Sequence, residues 1–301
     1  MNTPTQPAIR TEGLTKRFGP TLALDHLDLE VETGEVFGFL GPNGAGKSTT
    51  IRLILGLIRP TAGRALIFGT DAADIVASHS RLAHVPADVA LWPDLTGAVV
   101  LALLAALGPG TDRGYRAEVV DRFALDPDRR CATYSTGNRQ KVALIAAFAT
   151  RAQLLILDEP TTGLDPLMEQ QFRICLREAT DRGQTVFLSS HQLAEVDAVC
   201  DRVGILRAGR LVDVAGLTEL RRLRTTELTA TYAGAVPAGL RADLPGVEAV
   251  HRISASTIAV VLSGAPGAAL QQLATDDLVA VDVREPSLEE IFLGYYGGAG
   301  S

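Results

Sequence analysis

The sequence predicts an α/β protein: a mixed, largely parallel sheet core with an antiparallel β subdomain and a helical subdomain, followed by a small C-terminal α+β domain. Three observations predict it. Residues 41–48 read Gly41-Pro42-Asn43-Gly44-Ala45-Gly46-Lys47-Ser48, a complete G-x-x-x-x-G-K-S phosphate-binding loop between an apolar strand and a helix. From Leu154 onward, short apolar strands alternate with amphipathic helices, the pattern that builds a parallel sheet with crossover helices. Beyond about residue 224, strands and helices follow in the order β-α-β-β-α-β, a ferredoxin-like arrangement.

Taken in order, residues 8–35 alternate apolar and polar positions, as in Leu22 to Val31, which fits antiparallel strands covering one face of a core. Val36 to Leu40 is the strand that feeds the loop, and Thr49 to Leu55 continues from it as a helix. Gly63 to Gly69 reads as one more strand. Residues 72–150 read mainly as helices, punctuated at Pro93, Gly97, Gly108 to Gly110 and Pro127. Within them, Ala98 to Leu107 is an unbroken apolar run of ten residues, about half of what a membrane-spanning helix needs, and is expected as a buried helix. Strands are expected at 154–157, 185–188 and 202–206, with helices near 166–182 and 191–200; the strands before the loop and at Leu154 should share a sheet. The C-terminal pattern gives strands at 227–232, 246–253, 257–263 and 278–283 with helices at 236–244 and 266–275. A last amphipathic helix from Ser287 to Tyr296 opens with the capping box Ser287-x-x-Glu290. The domains are therefore drawn at 1–224, with the helical subdomain at about 86–150, and at 225–301.

Composition narrows the partners. Apolar residues make up 47% of the 301 residues, enough for a substantial core, and 28 Lys+Arg against 35 Asp+Glu give a net charge of −7. An acidic balance without a basic block argues against nucleic acid as the main partner. Cys131, Cys175 and Cys200 lie far apart with no C-x-x-C pair, which fits inert thiols in a reducing compartment. Residues 1–8 have neither the basic start nor the apolar stretch of a signal peptide, so a cytosolic chain, free or docked, is expected.

The loop carries the first chemistry. Gly41, Gly44 and Gly46 let successive backbone N–H groups and the following helix N-terminus surround a polyphosphate. Lys47 would reach the β- and γ-phosphates, and the Ser48 hydroxyl would ligate Mg²⁺. Downstream, Leu154-Leu155-Ile156-Leu157-Asp158-Glu159 is an apolar strand ending in two carboxylates. Asp158 can hold Mg²⁺ through water, while Glu159, on the other side of the chain, could polarise an attacking water.

Three further segments complete a pattern: Tyr134-Ser135-Thr136-Gly137-Asn138-Arg139-Gln140-Lys141 opening a helix, Pro160-Thr161-Thr162-Gly163-Leu164-Asp165 after the paired acids, and Ser189-Ser190-His191 after the next strand. With these, the chain resembles the ATP-binding cassette (ABC) family over nearly all of residues 8–212, five motifs standing in that family's order and spacing. The resemblance implies ATP and Mg²⁺ as ligands, with Gly41 to Thr49 around the phosphates, Phe18 stacked on adenine, Ser48 and Asp158 at the metal, and Glu159, His191 and Lys47 as the hydrolytic groups. It implies also that Ser135, Thr136, Gly137 and Asn138 bind the γ-phosphate of ATP held by the opposite copy of a homodimer, with Asp165 communicating across the dimer. Three positions depart from the family pattern. Thr136 stands where glycine is usual, which questions a wholly backbone-lined approach; Thr162 replaces serine; and Ala87 occupies the position of a glutamine that ligates metal and water. At that last position either Asp88 substitutes or the metal gains a water.

Leu91 to Gly97, together with Pro286 to Tyr296, resembles the ATPase subunits of bacterial exporters that pair with a separately encoded membrane permease, drug and antibiotic efflux pumps of actinobacteria in particular. An ATPase docked on the cytoplasmic face of the cell membrane is the expectation that follows. A ribosome-acting relative would carry two cassettes and a basic linker, a chromosome-maintaining one a long coiled coil, and a kinase or GTPase would leave the Ser135 turn and His191 without a purpose. The cargo, and the role of residues 225–301 in dimer stabilisation, permease docking or regulation, stay open.

Overall fold

Short apolar stretches sort into three sheets in the computed structural model, which describes residues 6–218, 225–237, 246–263, 266–275 and 277–284. The chain divides into two compact units, Met1–Ala215 and Gly216–Ser301.

In the first unit, β1 (Ile9–Phe18) and β2 (Thr21–Val31) form an antiparallel hairpin, and β4 (Ala62–Ile67) and β5 (Thr70–Asp71) extend it in the order β2-β1-β4-β5. The second sheet has the order β10-β9-β3-β8-β7-β6, with β3 at Val36–Leu40, β6 at Leu82–Val85, β7 at Leu154–Asp158, β8 at Thr185–Ser190, β9 at Arg202–Arg207 and β10 at Arg210–Gly216. Strands β9-β3-β8-β7-β6 pair in parallel. Every residue of β3, β7 and β8 is buried. That is what continuous apolar runs without polar alternation dictate, because a parallel sheet is covered on both faces. Phe37 and Phe187 stack with ring centroids 6.0 Å apart, and Phe39 lies 5.2 Å from Phe187. Burial of each ring contributes about 2 kcal/mol against exposure.

Register places the chemistry. Asp158 of β7 sits opposite Ser189 of β8, and Ser190 of β8 opposite Leu40, the residue before the glycine loop. Three chain crossings therefore end at one sheet edge, their carboxyl ends, where open parallel sheets bind ligands.

Helix α1 (Lys47–Ile54) follows the loop, and α2 (Ile75–His79) precedes β6. The region expected to be mainly helical holds α3 (Gly97–Leu107), α4 (Arg113–Arg122) and α5 (Thr136–Phe148), but β6 interrupts it as the edge of the parallel sheet. Four residues with a histidine among them lack the length and apolar continuity that betray a strand. A second correction concerns α3: only Gly97, Val100 and Leu101 are buried, while Val99 and Leu107 are exposed at 48% and 74%. An apolar composition does not by itself bury a helix that lies on the rim of a small subdomain. Helix α6 (Pro166–Asp181) buries Phe172, Cys175, Leu176 and Ala179, a single helical stripe, and α7 (Leu193–Val199) follows β8.

The second unit contains β11 (Thr225–Tyr232), β12 (Val247–Arg252), β13 (Thr257–Ser263), α8 (Gly267–Leu273) and β14 (Leu278–Arg284). Its sheet is antiparallel with the order β12-β13-β11-β14. That is the order of a split βαβ fold, with Leu228, Ile258, Val260, Leu262 and Leu273 in a core of its own. The helices expected at 236–244 and 287–296 fall wholly or mostly outside the described residues.

Candidate active site at the carboxyl edge of the parallel sheet

The loop from Gly41 to Ser48 wraps the start of α1. Gly46 stands at the N-cap with φ 115°, and no side chain caps the helix. An added Cβ at Gly46 would lie 2.8 Å from the Ala23 carbonyl oxygen, so position 46 takes only glycine, on both conformation and space. The uncapped first-turn N–H groups give this helix end a partial positive charge with no acidic residue in its first turn. Ala45 anchors the loop from behind, its N–H donating to Pro42 O and its carbonyl accepting from Gly209.

Lys47 is 5% exposed and donates from Nζ to Gly41 O at 2.7 Å. Its nearest anion is Glu159 Oε1 at 3.7 Å, too long for a hydrogen bond. A buried ammonium held only by loop carbonyls and a distant carboxylate is a cation with capacity left for an anionic ligand. Glu159 also places Oε2 3.3 Å from His191 Nδ1, so one carboxylate spans Lys47 and His191. It reaches both from a left-handed backbone, φ 46°, a conformation that costs a non-glycine residue free energy. Its N–H donates to Ser189 O at 3.1 Å, which holds that turn against β8.

Asp158, 6% exposed, accepts a hydrogen bond on Oδ1 from Ser189 Oγ, fixing the carboxylate beside the loop. Among the described residues no cluster of three or more His, Cys, Asp or Glu could hold a metal alone. One hydroxyl, Ser48, and one carboxylate, Asp158, fit a hard cation that takes most of its oxygens from phosphate and water, the habit of Mg²⁺.

The cleft over the loop measures about 330 Å³ and is lined by Thr21 to Ala23, Pro42 to Gly44, Gly46 to Thr49, Glu159, Ala208 and Gly209. Clefts of similar size elsewhere, one beside Asp25, His26 and Arg210 and another beside Tyr115, Arg151 and Arg182, lack a phosphate cradle. Chemistry rather than size selects the site. Phe18 ends β1 opposite Thr21, and its ring is 49% exposed with Lys16 Nζ 4.9 Å from the centroid. Its strand partner Thr21 lines the cleft, and an exposed aromatic ring next to it is available for stacking.

Ser135 caps α5, accepting from Asn138 N at 3.2 Å, and both Ser135 and Thr136 are exposed. Gly137 is required by space: a Cβ there would lie 2.5 Å from Gly163 O. Asp165 caps α6 with two bonds, from Leu167 N and Met168 N, a role visible within one chain. Ala87 is half-buried and Asp88 exposed on the stretch after β6. The sequence motifs include Ser189 and Gln140 but give neither a role; Gln140 Nε2 donates to Pro160 O at 2.9 Å and ties α5 to the turn after Glu159. A polar residue on a helix face signals nothing until its tertiary partner is known.

Comparison with known proteins gives the family. The sequence model for "ABC transporter" matches residues 24–162. A daunorubicin/doxorubicin resistance ATP-binding protein of Streptomyces peucetius is 40% identical over 227 residues, covering 73% of this chain and 69% of that protein. A bacitracin transport ATP-binding protein of Enterococcus faecalis is 34% identical over 218 residues, covering 71% of each. Among solved structures, the ATP-binding subunit of an ABC transporter matches with a TM-score of 0.66 at 32% identity, over 71% of this chain and 92% of that one. The chain belongs to the ABC transporter family, as one of its ATP-binding, ATP-hydrolysing subunits.

Proposed function

We propose that the chain powers export of a drug or antibiotic, working as a head-to-tail homodimer on the cytoplasmic face of the membrane with a separately encoded permease. The observation that carries the hydrolytic part is the contact chain Lys47–Glu159–His191 at the mouth of an uncapped glycine loop. The exporter part draws on the relatives, whose names speak of anthracycline resistance and bacitracin transport.

In this reading the first-turn N–H groups of α1 and the Lys47 ammonium take the β- and γ-phosphates, and Phe18 stacks on the adenine. Mg²⁺, held by Ser48 and Asp158, would neutralise phosphate charge. Glu159 accepts a proton from the attacking water, and His191 contacts the γ-phosphate from the other side of the carboxylate. Ser135 to Asn138, of which Ser135 and Thr136 are exposed, complete the site on the other chain, and Asp165 communicates across that contact. Closure would draw the helical subdomain inward. Ala87 cannot ligate metal or hydrogen-bond water through its side chain, so either Asp88 or a water takes that place.

No helix among the described residues is long and apolar enough to cross a membrane. The exposed Trp92, Val99 and Leu107 on and before α3 offer an apolar surface of the kind a membrane partner's loop would cover. We take residues 1–224 as the ATP-binding domain and 225–301 as a separate small α+β domain.

Co-expression with the multi-spanning protein encoded beside its gene tests this reading. The expected result is recruitment of the chain to membranes holding that neighbour and ATP-dependent efflux of a drug. A chain that stays in the soluble fraction and leaves drug accumulation unchanged would refute the exporter assignment.

A further inference from the structure

Behind Glu159 and His191 lies a carboxyl that hydrolysis does not use. Glu195, in α7, accepts on Oε2 from Ser190 Oγ at 2.6 Å, and Ser190 also receives the Gln192 N–H at 2.9 Å, closing the turn that carries His191. The other oxygen, Oε1, is sealed from solvent with no hydrogen-bond partner. A small cavity of about 100 Å³ lies there, lined by Thr161, Glu169, Phe172, Arg173, Gln192 and Glu195 among others.

A buried, unpartnered carboxyl oxygen is costly, so Oε1 calls for a polar partner within the cavity. Burial pushes the Glu195 carboxyl up; the hydroxyls of Ser190 and Thr161 pull it down, the Glu169 charge from α6 raises it further and His191 opposes. The buried thiol of Cys200, at the end of α7, is held up in turn by its own burial and by Glu195. Thr161 is the partner at hand: it lines the same cavity, is itself buried and stands in the turn immediately after Glu159.

We propose that Glu195 is a positioning residue for hydrolysis: its carboxyl ties Ser190, beside His191, to Thr161, beyond Glu159, and so fixes the two catalytic turns against each other. This rests on the ATPase reading of the site. It adds that the separation between Glu159 and His191 is set from below, by a side chain that touches neither substrate nor metal.

Steady-state hydrolysis and amide hydrogen exchange of the nucleotide-free chain, in wild type, Glu195→Ala and Glu195→Gln, test it. In Glu195→Ala, kcat should fall about tenfold with KM for ATP within about threefold, since misplaced groups lose transition-state rather than ground-state contacts. Exchange should accelerate together in segments 159–165 and 189–195. Glu195→Gln, whose amide can accept from one hydroxyl and donate to the other, should restore kcat and exchange to within about threefold of wild type. Should Glu195→Ala fail to fold, Ser190→Ala replaces it, with a smaller drop in kcat at unchanged KM. Wild-type kcat in the truncated variant, or Glu195→Gln as impaired as Glu195→Ala, overturns the proposal. A wild-type chain that binds ATP without hydrolysing it would instead overturn the underlying site reading. The exchange arm then still decides on Glu195, loosening of both turns supporting the tie and unchanged exchange refuting it.

Discussion

Two helix N-termini in the same chain, both placed by the sequence at phosphate, are built in opposite ways. At α1, Gly46 leaves the first turn uncapped, and Lys47 is buried among loop carbonyls with spare donors. At α5, Ser135 satisfies the Asn138 N–H itself, and the turn lies exposed with no cation buried beneath it. The first is a cradle complete within one chain, needing only an anion. The second is a surface, stable alone and poor as a ligand site alone. Under the proposed function the difference makes binding and hydrolysis separable: one end would hold the phosphates, and the other would act only when a second copy presents it.

The largest effect should come from the cradle. Lys47→Ala removes the buried cation, and ATP affinity should fall on the order of 100-fold, measured by fluorescent nucleotide binding, because charge-assisted hydrogen bonds contribute about 1.5–3 kcal/mol each. Retained affinity would mean that the backbone N–H groups alone carry the phosphates. Next comes the other helix end: Ser135→Arg puts bulk and charge on the exposed turn. Its expected signature is ATP binding to the single chain within about twofold of wild type and kcat reduced at least about tenfold. If binding and turnover fell together, the contrast between the two termini would be wrong. The smallest effect belongs to Asp165, which accepts two hydrogen bonds at the start of α6. Asp165→Ala should lower stability by about 1 kcal/mol, read as a shift of the denaturation midpoint, whatever it does to turnover. No shift would show that the cap is not formed in solution.

Much of this arrangement is legible in the sequence because its causes are local. Glycines, lysine and serine at fixed spacing, an apolar strand before them and paired acids after another strand all announce themselves within a few residues. The alternating strands and helices after Leu154 likewise predict the parallel sheet, and the C-terminal order predicts the β12-β13-β11-β14 sheet. What stayed hidden depends on partners distant in sequence. Strand β6 is recognisable only through its pairing with β7, and α3 reads as buried until the rim of its subdomain is seen. The hold of Ser189 on Asp158 arises from register between β7 and β8, and the tie of Gln140 to Pro160 O joins residues twenty apart in the chain. No spacing rule encodes them.

The central claim is that a second copy completes the site. Sedimentation of Glu159→Gln with saturating ATP and Mg²⁺ tests it most directly, since loss of the proton acceptor should arrest hydrolysis after the interface has closed. The account predicts a stable dimer that appears only with ATP and disappears when Ser135→Arg is added to the same chain. A Glu159→Gln chain that stays monomeric with bound ATP, hydrolyses at the wild-type rate, or dimerises regardless of Ser135→Arg would contradict it.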